Sequence, residues 1–245
     1  MMELDRSGPV LVVAPHPDDE VLGAGGTIAR LAADGHDVFV AIVTRGDPSI
    51  FTEQFVEQGR REAVEAQELL GVRKTIFLEG FPAALVDTVP HARMNAVLGE
   101  LLEQVDPELL LAPFPGDLHL DHRRIFESLL VAARPDPSRR LRAFYAYETL
   151  SETNWNAPSI TPSFAPNTFI DIGDFLELKL QAMGCYASQL KPFPNERSLE
   201  AIRSLAQMRG ATVGFTAAEA FMLIRSSFPG RSRDRPHERY GEDEV

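Results

Sequence analysis

Val10-Leu11-Val12-Val13-Ala14 runs straight into Pro15-His16-Pro17-Asp18-Asp19-Glu20, and the fold is read outward from that junction. Five apolar residues without a polar interruption make a strand buried on both faces, the kind that parallel sheets contain. Val38-Phe39-Val40-Ala41-Ile42-Val43, Thr75-Ile76-Phe77-Leu78 and Leu109-Leu110-Leu111-Ala112 repeat the pattern. Helix-length stretches separate them. Residues 20–34 place Val21, Ile28 and Leu31 at helical spacing before Asp34-Gly35, and residues 53–70 keep a similar period from Phe55 and Val56 to Leu69 and Leu70, where Gly71 ends it. Residues 91–105 and 122–133 behave likewise. Strand and helix alternating at this pace imply right-handed βαβ units. The expected fold is therefore α/β, a Rossmann-like three-layer sandwich with a mostly parallel sheet and a C-terminal extension.

Beyond Ala143-Phe144-Tyr145-Ala146-Tyr147 the pattern loosens, and residues 154–166, with Pro158, Pro162 and Pro166, read as a long loop. Phe169-Ile170-Asp171-Ile172 and a helix over 174–187 resume order. Residues 195–228 begin as helix, and Ala220-Phe221-Met222-Leu223-Ile224-Arg225 fits either helix or strand. No internal repeat or linker divides the chain, so one domain is expected over residues 1–228. From Pro229 to Val245, four arginines and five acids with almost nothing apolar make a charged tail that cannot offset the entropy of ordering itself.

The whole chain of 245 residues carries 36 acids against 24 bases, a formal net charge of −12. That balance argues against nucleic acid and anionic membrane as partners, since both are bound through lysine and arginine. The single cysteine, Cys185, excludes an internal disulfide and any thiolate zinc framework. Any metal must be held by His, Asp and Glu. The start, Met1-Met2-Glu3-Leu4-Asp5-Arg6, has no basic segment leading into an apolar stretch, and no window approaches a membrane-spanning length, so the expected location is the cytoplasm without membrane insertion.

Chemistry concentrates after two strands. The first is followed by His16-Pro17-Asp18-Asp19-Glu20 and the fourth by Asp117-Leu118-His119-Leu120-Asp121-His122. Ligands of open α/β sheets bind in the crevice outside the carboxyl ends of the strands, so both clusters face one rim. Asp18, Asp19 and Glu20 could merely cap the helix that follows and complement its dipole, a reading that suits Glu20 but leaves His16 and the second cluster unexplained. His36, His91 and His237 read as surface or structural histidines. Gly23-Ala24-Gly25-Gly26 imitates a dinucleotide fingerprint, but the turn itself is His-Pro-Asp-Asp and position 28 is Ile28. Those glycines read instead as letting the first helix lie close to the sheet. Zinc suits a His/Asp/His set without cysteine, with three protein ligands and a position left for water, whose pKa it lowers towards ~7. One aspartate of the adjacent pair can then ligate metal while the other faces the water. His119 is expected across the site as a protonated donor whose ring Asp121 orients and keeps charged. These parts amount to metal-assisted hydrolysis of an amide or ester.

With these residues in place, the chain resembles the PIG-L/LmbE-type zinc-dependent N-acetylglucosaminyl deacetylases. The resemblance rests on Pro15-His16-Pro17-Asp18-Asp19-Glu20, continuing through Leu22-Gly23-Ala24-Gly25-Gly26-Thr27, and on His119-Leu120-Asp121-His122. Thr44-Arg45-Gly46-Asp47, Glu62, Ala66, Leu70-Gly71-Val72, Tyr186, Ser188-Gln189, Arg209-Gly210-Ala211 and Ala218-Glu219-Ala220-Phe221 extend it over most of the chain. It implies His16, Asp19 and His122 as ligands of Zn2+, Asp18 as general base, and His119 supported by Asp121 as oxyanion stabiliser. The implied reaction releases acetate and a free amine from an N-acetyl amino sugar or its conjugate. The alternative is a zinc amidase on another small conjugate, such as an amide of a thiol cofactor; a third reading, a non-catalytic sugar-binding protein, does not require the spare carboxylate of Asp18. Arg45, Asp47 and Arg60 are the candidate substrate contacts. The family's second helix often carries an arginine where this chain has Gly59, for which Arg60 or Arg61 would substitute. Similar members are often oligomeric, and no apolar stripe in the sequence decides whether this chain forms a homo-oligomer.

Overall fold

The computed structural model describes residues 8–227, and the charged tail over 229–245 lies outside them. Chain order begins β1 Val10–Ala14, α1 Asp19–Ala33, β2 Val38–Ile42, β3 Arg45–Gly46, α2 Glu53–Leu69, β4 Lys74–Phe77, β5 Pro82–Ala83 and α3 His91–Val105. It continues with β6 Leu109–Pro113, α4 Leu120–Ala132, β7 Ala143–Tyr147, β8 Thr168–Asp171, α5 Leu176–Cys185, α6 Leu199–Val213 and β9 Ala218–Ser226. Seven strands form one sheet in the order β4-β2-β1-β6-β7-β9-β8. The pairs from β4 across to β7 are parallel, and β9 runs antiparallel between β7 and β8. The expected three layers and mostly parallel sheet are present.

Alternation along the strands sorts the core. Val10, Val12 and Ala14 face the layer of α1, α2, α5 and α6, whereas Leu11 and Val13 face α3 and α4. Every residue of β1 is fully buried, which is why its sequence has no polar interruption. The segment from Ala220 that fits helix or strand in sequence is β9, because it supplies hydrogen bonds to a neighbour on each side. The glycines of α1 behave as expected: a Cβ on Gly23 would stand 2.1 Å from Tyr147 Cδ2 and one on Gly26 would stand 2.7 Å from Ile172 Cδ1. Two short strands, β3 and β5, pair with each other beside the main sheet and have no signal in the apolar pattern. Among the described residues no helix is long and apolar enough to cross a membrane.

Strand order reverses between β1 and β6. β1 leads outward to β2 and β4 on one side, and β6 to β7 on the other, which makes their carboxyl ends the topological switch point where such sheets bind ligands. The two polar clusters follow these two strands.

Candidate active site

His16 leaves β1 between two prolines, and the chain then turns into α1 through Asp18, which holds φ 110° and ψ −28°. A non-glycine residue in that left-handed region costs on the order of 1–3 kcal/mol and persists only where the surroundings hold it. They do so here: Glu20 accepts the amide of Asp18 at 3.2 Å and also binds Gln67 of α2 and the hydroxyl of Tyr186. Asp18 occupies the N-cap position of α1 but makes no side-chain cap; its Oδ2 takes a 2.8 Å hydrogen bond from Arg197 Nη1 instead. Asp19 folds back to accept the His16 amide at 2.8 Å. Capping therefore accounts for neither aspartate, while Glu20 is the scaffold residue of the three.

The second cluster is arranged by the start of α4. His119 is its N-cap, accepting the Asp121 amide on Nδ1 at 3.2 Å, which leaves the ring proton on Nε2. His122 lies in the first turn, fully buried, with Nδ1 at 2.8 Å from Asp117 Oδ2 and Nε2 at 3.2 Å from Asp19 Oδ2. Thr153 in turn donates to Asp117 at 2.5 Å. His16 stands 3.2 Å from Asp19 through Nδ1 and 3.0 Å from Asp121 through Nε2.

Ligand atoms of His16, Asp19 and His122 all lie within 4.8 Å of one another, as do those of His16, His119 and Asp121. The two sets differ in what their atoms already do. Asp121 Oδ2 accepts the Ala84 amide at 2.7 Å as well as facing His16. Asp19 Oδ1, by contrast, is buried without a hydrogen-bond partner, and His122 Nε2 faces only Asp19 Oδ2, at 3.2 Å but outside hydrogen-bond geometry. Buried polar atoms are rarely left so, and a ligated cation is what two orphaned acceptors would share. The donor set of His16, Asp19 and His122 fits a metal, and Asp117 holds His122 in the way that outer partners hold metal-binding imidazoles.

Charge follows the same pattern. Burial opposes protonation of His16, but the hydrogen bonds of Asp121 and Asp19 outweigh it and lift the ring to about 9. His122 is likewise raised well above the ordinary range, Asp19 and Asp117 overcoming its burial. Burial pushes the Asp18 carboxyl up to about 8, with Arg197 pulling against it and Asp19 and Glu20 adding to it.

A cavity of about 260 Å³ opens onto these groups. His16, Asp18, His119, Glu152, Gln189 and Arg197 line it together with apolar side chains from α2 and the end of β4. The family model for PIG-L, described as GlcNAc-PI de-N-acetylase, matches residues 11–133, half of the chain, and so spans both clusters.

The chain belongs to the PIG-L family. It is an N-deacetylase of that family, a hydrolase of an amide bond, and the family's members act on small GlcNAc-containing substrates. The diacetylchitobiose deacetylase of Thermococcus kodakarensis is 27% identical over 232 residues, covering 89% of this chain and 84% of that protein. The 1D-myo-inositol 2-acetamido-2-deoxy-alpha-D-glucopyranoside deacetylase of Rhodococcus opacus is 26% identical, covering 92% and 94% respectively. Among solved structures, a conserved protein of Thermus thermophilus superposes with a TM-score of 0.73 at 29% identity over 91% of this chain and 98% of that one.

Within this PIG-L deacetylase the expected site residues divide. His16, Asp18, Asp19, His119, Asp121 and His122 converge. Arg45 and Arg60 line the cavity, but Asp47 does not; its carboxylate is turned to the Ser49 amide and hydroxyl in an exposed turn. The expected support of His119 takes another form. The Asp121 carboxylate lies 3.9 Å from His119 Nδ1, nearer to His16 and Ala84, and burial with the neighbouring His16 charge depresses His119 to about 4. With Nδ1 occupied by the Asp121 amide, Nε2 is the ring nitrogen that His119 has left to donate. Three contributors had no role assigned from sequence: Asp117, Arg197 and Glu152. Asp117 could have been found from its place five residues before His122. Arg197 sits in an irregular loop pinned to α2 by Ser188, whose amide and hydroxyl reach Glu62 at 3.1 and 2.5 Å, and nothing in local sequence marks it.

Proposed function

We propose that the protein is a zinc-dependent hydrolase that removes the acetyl group from an N-acetylglucosamine-type sugar or sugar conjugate, giving acetate and a free amine. One observation carries the reading: a His/Asp/His set with two orphaned ligand atoms stands beside a further carboxylate, Asp18, that faces the cavity. His16, Asp19 and His122 would hold zinc, which when bound would supply a nucleophile at neutral pH. Arg197 fixes Oδ2 of Asp18, which leaves Oδ1 to take up the nucleophile's proton. His119, with Nδ1 occupied, directs its Nε2–H at the scissile carbonyl oxygen. Asp121 aligns His16 and receives the Ala84 amide, so its contribution is positional. The substrates named for the relatives, diacetylchitobiose and an inositol-linked acetamido sugar, support an amino sugar over a thiol-cofactor amide.

Asp18→Ala should keep one zinc per chain while losing about 10²–10⁴-fold in turnover, the usual worth of a general base. His122→Ala should lose the zinc. Metal content and acetate released from N-acetylglucosamine and its conjugates measure both; full activity in Asp18→Ala would overturn the base assignment, and cleavage confined to non-sugar amides would overturn the substrate class.

A further inference from the structure

The cavity lining changes character away from the polar clusters. On the side of β2 and β4 it is largely hydrocarbon, formed by Phe51, Phe55, Val56 and Phe77, with the Arg60 guanidinium stacked on Phe77 at 4.3 Å. Phe51 and Phe55 stack with ring centroids 5.8 Å apart and planes 12° off parallel, and Phe55 is 38% exposed.

Gly59 adds an independent observation. It lies inside α2, where glycine is less favourable than alanine, and it lines the same cavity. Neighbouring glycines are sterically required: a Cβ on Gly46 would stand 2.6 Å from Val56 Cγ2. A Cβ on Gly59 would meet only Pro17, at 3.9 and 4.0 Å, and its backbone is helical. Packing does not demand glycine there. What its missing side chain provides is open volume next to the phenylalanines.

The rim charges are already occupied. Arg45 is bound to Glu53 and lies 3.5 Å from Glu57 and 3.7 Å from Glu79, which also takes Arg60 at 3.0 Å. A phosphate in this part of the cavity would have to compete with those carboxylates for the two arginines, whereas an apolar group leaves the pairs in place. This wall borders the same cavity as His16 and Asp18.

Resting on the deacetylase reading above, we propose that Phe51, Phe55, Val56, Phe77 and the space at Gly59 form a subsite for an apolar aglycone, aromatic or alkyl, attached to the N-acetyl amino sugar. The preferred substrate is an amphipathic glycoside, its sugar hydroxyls towards Glu152, Gln189 and Arg197 and its apolar group on the phenylalanines.

The test compares acetate release by the zinc-loaded full chain from methyl and phenyl N-acetyl-β-glucosaminide and from N,N'-diacetylchitobiose. The expected result is a kcat/KM for the phenyl glycoside about tenfold or more above the other two, as one well-fitted apolar contact provides. That ratio should fall towards one in Phe55→Ser. It should fall also in Gly59→Leu, which fills the subsite while improving helix propensity and so keeps the measurement meaningful if Phe55→Ser folds poorly. Equal kcat/KM for methyl and phenyl glycosides, or a ratio untouched by both substitutions, would overturn the subsite while leaving the sugar deacetylase reading intact. No acetate from any of the three would overturn that reading and the subsite with it.

Discussion

Asp117 illustrates what a residue without chemistry of its own can decide. Its carboxylate holds His122 by Nδ1, so only Nε2 can turn towards Asp19, and Thr153 holds the carboxylate in turn. Such partners typically account for 10–100-fold in metal affinity. Asp117→Asn, which keeps the size but weakens the acceptor, should lower zinc affinity by that factor in competition with a chromophoric chelator, while the fold remains; unchanged affinity would mean that His122 is oriented by packing alone. The proposed ligand set is legible in the sequence because two short motifs carry it at fixed offsets from strand ends. Its supports were not, since Arg197 comes from a loop 179 residues beyond Asp18 and Ala84 joins Asp121 from another. Spatial neighbours that depend on the path of irregular chain leave no periodic trace.

At the scale of elements, apolar runs fixed where the parallel strands lie, because full burial on both faces excludes polar residues from β1 and β6. The C-terminal extension was less readable: β9 is apolar over only part of its length and competes with a helical reading until its neighbours are known. Its Glu219 explains why. That buried carboxylate accepts the amides of Gly26 and Thr27 in α1 at 2.9 and 2.7 Å and pairs with Lys179 of α5 at 2.5 Å, while Lys179 also reaches the Leu22 carbonyl at 2.9 Å. One ion pair thus ties three elements and steadies the helix whose first turn carries Asp19. Breaking a buried pair from one side leaves a charge uncompensated, at a cost of about 3–5 kcal/mol. Lys179→Met should accordingly lower the urea midpoint substantially, and adding Glu219→Gln to it should recover part of the loss. A single variant within ~1 kcal/mol of wild type would show that the pair is not what joins α5 and β9 to α1.

For the molecule as a whole, the charge of −12 is partly concentrated where it is least comfortable, in carboxyls buried around the cavity. The metal-free chain answers with protons. Folding raises His16 from 6.5 to about 9, so its stabilising contribution is full below 6.5 and is lost as pH rises through 9. Asp18, raised from 3.8 to about 8, and Glu20, raised from 4.5 to about 7, also hold protons more tightly folded than unfolded, so stability falls with rising pH across their windows too. Asp19 and Asp121, held below 3.8, contribute a constant amount in this range. His119, depressed from 6.5 to about 4, works the other way, but its contribution is nearly complete above pH 7; from there to pH 8.5 the slopes share one sign, and the Tm of the protein in chelator should decline steadily over that interval. Zinc binds the deprotonated ligands, so its stabilisation, which would be about 2.7 kcal/mol at a free concentration one hundred times Kd, should grow as the competing protons leave. Calorimetric scans with and without one equivalent of zinc should show the gap in Tm widening from pH 6 to 8.5. A gap that stays constant would mean that the protons on His16 and His122 do not occupy the place of the metal, and that the cation sits among groups other than these.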